Sequence, residues 1–440
     1  MFLLVISVNH TITRFRVAFK LLLTGKSAGL FKPTNLGLVQ RLNPIFQKQF
    51  RYQCQWDLDH RRWSETFCLF YRIHYVWNVS KSHWHWYPCP TNINYFWNIG
   101  FFLISSLNIQ ITSGMFLSLH YTSDISHSYS SVIHIIQDLH YGYLTHYLHS
   151  HGSSIILVIL YLHIGRSLFI GSFMYNANLW LSGLCIMIFL MLIAFLGYLL
   201  IWGMMSYWGG TVLTNLLFLI PCLIEWICGG FYVSNPTLKR FLIFHILIAF
   251  VILALFIIHL SYLHGQSSIC PLGYTTNNLC LSLFRVILIK DCYGYYLIMG
   301  IYKFQLFLGF YNICHPDNAV EVSSLVTPFH IIPEWYFLSF YTILKVIPNK
   351  LLGLILFLTT LMIICIVSEI KNVCTISRLI TIFSNNDNLL ISYIFLMIFY
   401  EVWIGVQITQ DIYLLWGRVV ISLFNALLWI IICTSRVYAL

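Results

Sequence analysis

The chain has 440 residues, of which 59% are hydrophobic and only 9% charged, and its formal net charge is +10; its mean hydropathy is +0.78. Soluble domains carry charge on roughly a quarter of their residues, so this composition excludes a soluble globular protein and points to the membrane. Runs such as "LFIGSF" and "LILFLTTLMIICIV" lack the apolar–polar alternation of a transmembrane β-strand, so the fold class is all-α.

Residues 1–83 hold twelve Lys or Arg against Asp57, Asp59 and Glu65, and the first fifty contain no acid. An Arg-rich, acid-poor start has the character of a mitochondrial transit peptide. We read 1–84 instead as a peripheral basic extension on the membrane surface or a neighbouring subunit, with attraction to anionic lipid as the simpler alternative. No nucleic-acid-binding motif accompanies the charge. The thirteen cysteines include no CxxC or CxxCH, so neither a zinc ribbon nor a covalently attached haem is indicated. Cys185, Cys228, Cys365 and Cys433 lie in apolar runs, where cysteine packs as a small hydrophobe.

A spanning helix takes about 20 apolar residues. Qualifying windows lie near 98–119, 154–172, 180–204, 241–264, 292–312, 350–368, 388–407 and 412–433, the fifth interrupted by Lys303. Eight spans are therefore expected. The first four form a bundle within 85–270, and the other four occupy 271–440.

Histidine carries the functional signal, because an ionisable side chain inside a span is costly and is retained for a purpose. His149 and His163 belong to the second expected span, and His245, His259 and His264 to the fourth. Both His149–His163 and His245–His259 are fourteen residues apart, which is about 3.9 helical turns and about 21 Å along one face. One span separates the two, so they run parallel, with His149 level with His245 and His163 level with His259. A lone membrane histidine is as often a hydrogen-bonded packing residue; the repeated spacing on parallel spans weighs against that reading. Opposed imidazoles at two depths are what two six-coordinate haem irons require of a helical bundle. His146 and His151 fit no such pairing and belong to the end of the span.

Gly100 and Gly114 on the first span, and Gly183 and Gly197 on the third, repeat the fourteen-residue spacing. Alone, such pairs are ordinary small-residue packing. Beside the histidines they read as slots for two macrocycles, because glycine lets a flat group approach the backbone.

The segments "PTNINYFWNIG", "YLHSHGSS", "YLHIGR", "WGGTVLTNL", "IEWICGGF", "LKRFLIFH", "HPDNAV" and "PFHIIPEWYFLSFYTILKVIPNKLLG" occur in an order that resembles the cytochrome b family, the membrane subunit of ubiquinol–cytochrome c reductase (respiratory complex III). The resemblance covers about 88–436; residues 1–83 have no counterpart in it. It implies two non-covalent b-type haems, the lower-potential one held by His149 and His245 and the higher-potential one by His163 and His259, with Arg166 and Arg240 at propionate-pairing positions. It implies a quinol-oxidation pocket around Pro333, Glu334, Trp335 and Tyr336, lined also by Tyr198, Gly210 and Tyr341, with Glu334 accepting a proton. A quinone-reduction pocket on the opposite face would use Trp97, Asn98, His264, Ser268, Lys290 and Asp291. Read without the family, Glu334 is a carboxylate at a helix start, and Lys290–Asp291 is an interfacial ion pair. The resemblance further implies a ubiquinol-oxidising Q cycle in the mitochondrial inner membrane. The implied partners are an iron–sulfur (Rieske-type) subunit and a cytochrome c subunit in a homodimeric complex.

Several positions depart from the family pattern. Ile201-Trp202-Gly203-Met204 replaces Pro-Trp-Gly-Gln, the loop "IPCLIEW" is short, His146 stands for an arginine, and Ala249 for a kinking proline. The approach to the fifth span lacks the usual prolines. Two other functions share the histidine pattern. A dihaem anchor of another quinone oxidoreductase would have no use for "PEWYFLSFY" or four further spans. A histidine-relay proton transporter would show repeated, Gly/Pro-broken halves, and no such repeat is present.

Overall fold

The computed structural model describes residues 87–216, 218–266, 268–269, 280–309, 315–370 and 385–437. The basic extension 1–84 and the division expected at 270–271 lie outside them. In chain order the described elements are a short strand β1 (Pro88–Pro90), then α1 (Ile99–Ser118), α2 (Ser128–Gln137), α3 (Gly142–Ile170), α4 (Ala177–Leu199), α5 (Met204–Leu216), α6 (Pro221–Cys228) and α7 (Asn235–Gln266). After them come β2 (Cys280–Ser282), α8 (Leu288–Leu308), α9 (Leu338–Val346), α10 (Lys350–Ile370), α11 (Asn385–Val406) and α12 (Asp411–Val437). Among the described residues the elements are helical apart from one antiparallel strand pair, in which Cys89 stands opposite Leu281.

Among the described residues five helices are long and apolar enough to cross a membrane: Ile99–Ser118, Gly142–Ile170, Ala177–Leu199, Asn235–Gly265 and Asp411–Trp429. Apolar stretches Lys350–Ile366 and Ile391–Val406 within α10 and α11 are shorter. The fifth expected span coincides with α8, which carries Lys290, Asp291 and Lys303 and is not among the five. A helix is the natural form for these stretches, since every backbone polar group is then satisfied without water.

Local sequence sets the helix ends. Asn176 caps α4 by accepting from the Leu179 backbone N–H at 3.1 Å, satisfying a donor the helix itself leaves free. At the end of α3, Gly171 takes φ 71°, the left-handed conformation that closes helices and that glycine reaches without penalty. Gly229 does the same after α6 at φ 73°, and a Cβ there would lie 2.5 Å from Pro236.

α1 packs along α3, and α4 along α7. The largest core cluster joins Leu157 and Leu160 of α3, Leu184, Met187 and Leu190 of α4, and Ile248 and Ile252 of α7 to Ile363 and Phe424 of the later helices. α8 lies on α1 and α3 through Phe102, Ile159, Ile298 and Tyr302. A third cluster, with Ile343, Val346, Ile404 and Val420, ties α9 to α11 and α12.

Candidate functional site

The four spaced histidines meet in two pairs. The rings of His149 and His245 have centroids 6.2 Å apart, and those of His163 and His259 6.5 Å apart. Two imidazole nitrogens bound to one metal at about 2.0–2.1 Å bring the ring centroids roughly 6 Å apart, so each gap fits a shared metal. Hydrogen bonds hold three of the rings by Nδ1. Ser113 gives its only hydrogen to the Ile109 carbonyl at 2.7 Å, so in its 3.0 Å contact with His149 Nδ1 it accepts. Ser182 likewise donates to the Leu179 carbonyl at 2.9 Å and accepts from His259 Nδ1 at 2.9 Å. His245 Nδ1 donates to the Ile193 carbonyl at 2.9 Å. With the hydrogen on Nδ1, the lone pair of Nε2 is left for a ligand.

His163 differs. Its Nδ1 lies 3.3 Å from the Arg166 guanidinium, a group that can only donate. The buried Arg166 Nε has no hydrogen-bond partner, and the guanidinium lies 5.5 Å from the Trp97 ring centroid. This is an incomplete cation site suited to a carboxylate. Arg240 is already engaged. It donates to the carbonyls of Trp226 and Ile227 at the end of α6 and lies over the Trp226 ring.

The glycines sort into the same tiers, each facing a histidine of the helix it packs on. A Cβ on Gly114 would lie 2.9 Å from His149 Cε1, and one on Gly197 2.7 Å from His245 Cε1. In the other tier the distances are 3.6 Å from Gly100 to His163 and 3.1 Å from Gly183 to His259. The nearest neighbour in each space is thus an imidazole edge, a closer relation than the expected slot alone.

Glu334 precedes a single 3₁₀ turn, Trp335–Phe337, and does not cap it with its side chain, unlike a carboxylate merely lodged at a helix start. Burial pushes its carboxyl up to about 7, because the charged form loses water there. α3 grips the segment at two points: Tyr161 donates to the Tyr336 carbonyl at 3.0 Å, and Trp335 Nε1 to Ser154 Oγ at 3.3 Å. Tyr341 donates to the Ile331 carbonyl at 3.3 Å, closing the loop that contains Pro333. Tyr198 lies on α4 beside Leu199, and a Cβ on Gly210 of α5 would sit 2.7 Å from the Leu199 side chain. The departing segment before α5 is strained at the buried Trp202, with φ 57°. Asn318 of "HPDNAV" secures that segment, its side-chain oxygen accepting from the Ser206 N–H at 2.9 Å.

At the other end of the bundle, Asn98 donates to Asp291 at 2.5 Å, both residues being buried at 3% and 8% exposure. Lys290 does not pair with Asp291; its ammonium donates to the Ile93 carbonyl at 2.8 Å. Trp97 Nε1 donates to the Ile269 carbonyl at 2.9 Å, which brings the chain after Ser268 back to the start of α1. His264 stacks on Tyr87, with ring centroids 4.2 Å apart.

Two family models match the chain, "Cytochrome b/b6/petB" over residues 85–267 and "Cytochrome b(C-terminal)/b6/petD" over 321–425. Cytochrome b of Plasmodium vivax (strain Salvador I) is 41% identical over 83% of this chain and 96% of that protein. Cytochrome b of Cyanidium caldarium is 38% identical over 79% of this chain and 91% of that protein. The chain belongs to the cytochrome b family. A chain of a solved structure described as "Hyperthermophilic respiratory Complex III" superposes with a TM-score of 0.74 at 23% identity, covering 83% of this chain and 97% of that one, and shows the same fold. As a member of the cytochrome b family, the protein is a redox-active, electron-transferring, multi-pass membrane subunit of mitochondrial type.

Sequence reasoning missed the partners that orient the rings. Ser113 and Ser182 each immediately precede a spaced glycine, a Ser-Gly signal legible only once the glycines are suspected. Tyr87 and Asn318 gave no periodic signal at all.

Proposed function

We propose that this member of the cytochrome b family holds two b-type haems between His149 and His245 and between His163 and His259. In this reading it oxidises ubiquinol near Glu334 and reduces ubiquinone near His264 and Asp291. The single observation that carries the proposal is the pair of facing imidazoles at two levels, with three of the four rings fixed through Nδ1. Among the described residues no group of three or more His, Cys, Asp or Glu could hold a bare metal ion; paired imidazoles would instead suit a metal carried in a macrocycle that supplies its remaining ligands. Each haem supplies a one-electron redox centre whose potential the surrounding protein adjusts.

The protein's own residues do the rest. Arg166 offers its unpartnered Nε to a propionate, while Arg240 would exchange the carbonyls of Trp226 and Ile227 for one. Gly100, Gly114, Gly183 and Gly197 let the imidazoles and the flat ligand come close to the α1 and α4 backbones. Glu334, raised to about 7, takes a proton from quinol at near-neutral pH, where a general base is most effective. Pro333, Trp335, Tyr336, Tyr341, Tyr198 and Gly210 shape that pocket. On the opposite face Trp97, Asn98, Ser268 and Lys290 shape the second pocket, and His264 and Asp291 deliver protons to quinone. Taking up protons on one face and releasing them on the other, with electrons crossing the low-dielectric layer between, stores redox energy as membrane potential.

α8, α10 and α11 complete eight spans in this reading, with the first four spanning helices as the dihaem bundle and those of 271–440 carrying the quinol loop. Residues 1–84 form a peripheral extension. The complex would be a homodimer with a Rieske-type iron–sulfur subunit that takes the other electron from quinol and a cytochrome c subunit beyond it, in the mitochondrial inner membrane.

An optical redox titration of the purified complex tests the proposal: two distinct b-type transitions are expected, and a single transition or none refutes it. The glycine distances make a graded companion test. Gly197→Ala forces a Cβ to 2.7 Å from His245 and is expected to lower haem content at the first tier, overpacking of this kind costing about 1–3 kcal/mol. Gly100→Ala meets His163 at an ordinary 3.6 Å and should cost clearly less haem at the second tier than Gly197→Ala costs at the first. Equal loss in both variants would show that these contacts do not govern binding.

A further inference from the structure

Tyr87 lies outside every motif that points to a function, yet it is 6% exposed and its ring is stacked on His264 at 4.2 Å with an interplanar angle of 21°. Three further contacts hold it there. Its hydroxyl donates to the Leu263 carbonyl at 3.3 Å, Ser268 lies within hydrogen-bond reach of the same hydroxyl, and its own carbonyl accepts from the Leu283 N–H at 3.0 Å. The last bond extends the β1–β2 pairing, so chain from before α1 and chain from after α7 jointly seat one aromatic ring against one imidazole. A histidine ring has several staggered orientations about its side-chain bonds. A parallel ring fixed by its backbone and its hydroxyl favours the one in which the two rings stack.

We propose that Tyr87 is a positioning residue for quinone reduction, holding the His264 ring in the plane from which it passes a proton. The inference rests on the quinone-reducing role given to His264 above. Converting one quinone to quinol takes two electrons, which a haem held by His163 and His259 would supply, and two protons from the adjacent aqueous face. His264 hands over one of those protons. Tyr87 exchanges neither proton nor electron.

The test uses the purified complex carrying Glu334→Gln, in which oxidation at the other pocket is slowed about 10²–10⁴-fold, so that added quinol reduces the second-tier haem chiefly through the pocket at His264. The initial rate of that reduction is followed optically against quinol concentration. Tyr87→Leu, which keeps an apolar side chain but loses the stack, is expected to lower the saturating rate about threefold to tenfold, the range that aromatic pairing contributes beyond burial. The half-saturating quinol concentration should change less than twofold. Tyr87→Phe, which keeps the ring, should restore the rate to within about twofold, since stacking survives without the hydroxyl. The proposal is overturned if Tyr87→Leu reduces the haem at the unsubstituted rate, if Tyr87→Phe is as slow as Tyr87→Leu, or if half-saturation moves as much as the rate. No haem reduction in the Glu334→Gln complex with Tyr87 intact would count against the quinone site itself, and the proposal would fall with it.

Discussion

Replacement of His259 by Leu is expected to abolish the higher-potential b-type transition in an optical titration while leaving the lower one in place. Leucine suits an apolar helix, so α7 stays in the membrane, and His245, fourteen residues away, keeps its bond to the Ile193 carbonyl. His163 then faces a hydrocarbon across a gap now 6.5 Å between ring centroids, and the haem that the two imidazoles would hold is left with one of its two protein ligands. Ser182→Ala is the milder companion. It removes the acceptor that holds His259 by Nδ1 at 2.9 Å, a change that in metal sites costs about 10–100-fold in affinity or activity, so the transition should weaken or shift but persist. If both transitions survive His259→Leu unchanged, the pairing of histidines across α3 and α7 does not hold the second haem.

Glu334→Gln should lower the rate of quinol oxidation by about 10²–10⁴-fold, the usual contribution of a positioned general base, without loss of either haem band. The pH dependence follows from the direction of the shift. Burial raises the carboxyl from 4.5 to about 7, so it is protonated and unable to accept below that pH and ionised above it. The unsubstituted complex should therefore gain activity as pH rises through about 7, and the glutamine variant should lose that step, its small residual rate varying little over the same range. A step that persists in Glu334→Gln assigns the proton acceptor to another group.

Much of this architecture can be read from local chemistry. Apolar runs of about 20 residues mark spans because the bilayer sets their length, and α1, α3, α4, α7 and α12 lie where such runs occur. Helical rise and pitch depend on neighbouring residues alone, so a spacing of fourteen places two side chains on one face about 21 Å apart. The tiers of His149 with His245 and His163 with His259 were legible for that reason.

Contacts between helices are another matter. Lys290 and Asp291 are neighbours in sequence and invite an ion pair, yet successive helical residues point about 100° apart, and the two side chains reach Ile93 and Asn98 separately. Arg240 of α7 stands at a propionate-pairing position, and its guanidinium donates to the carbonyls at the end of α6, because the turn at Gly229 brings those carbonyls within its reach.

From its sequence alone the protein was determined to be a helical membrane protein with two levels of histidine, since hydropathy and helical periodicity are properties of consecutive residues. Only the tertiary structure decided that Ser113, Ser182 and the Ile193 carbonyl hold the rings and that Tyr87 lies on His264. Those contacts depend on how far each helix is rotated and how closely its neighbour approaches, and no stretch of sequence encodes either by itself.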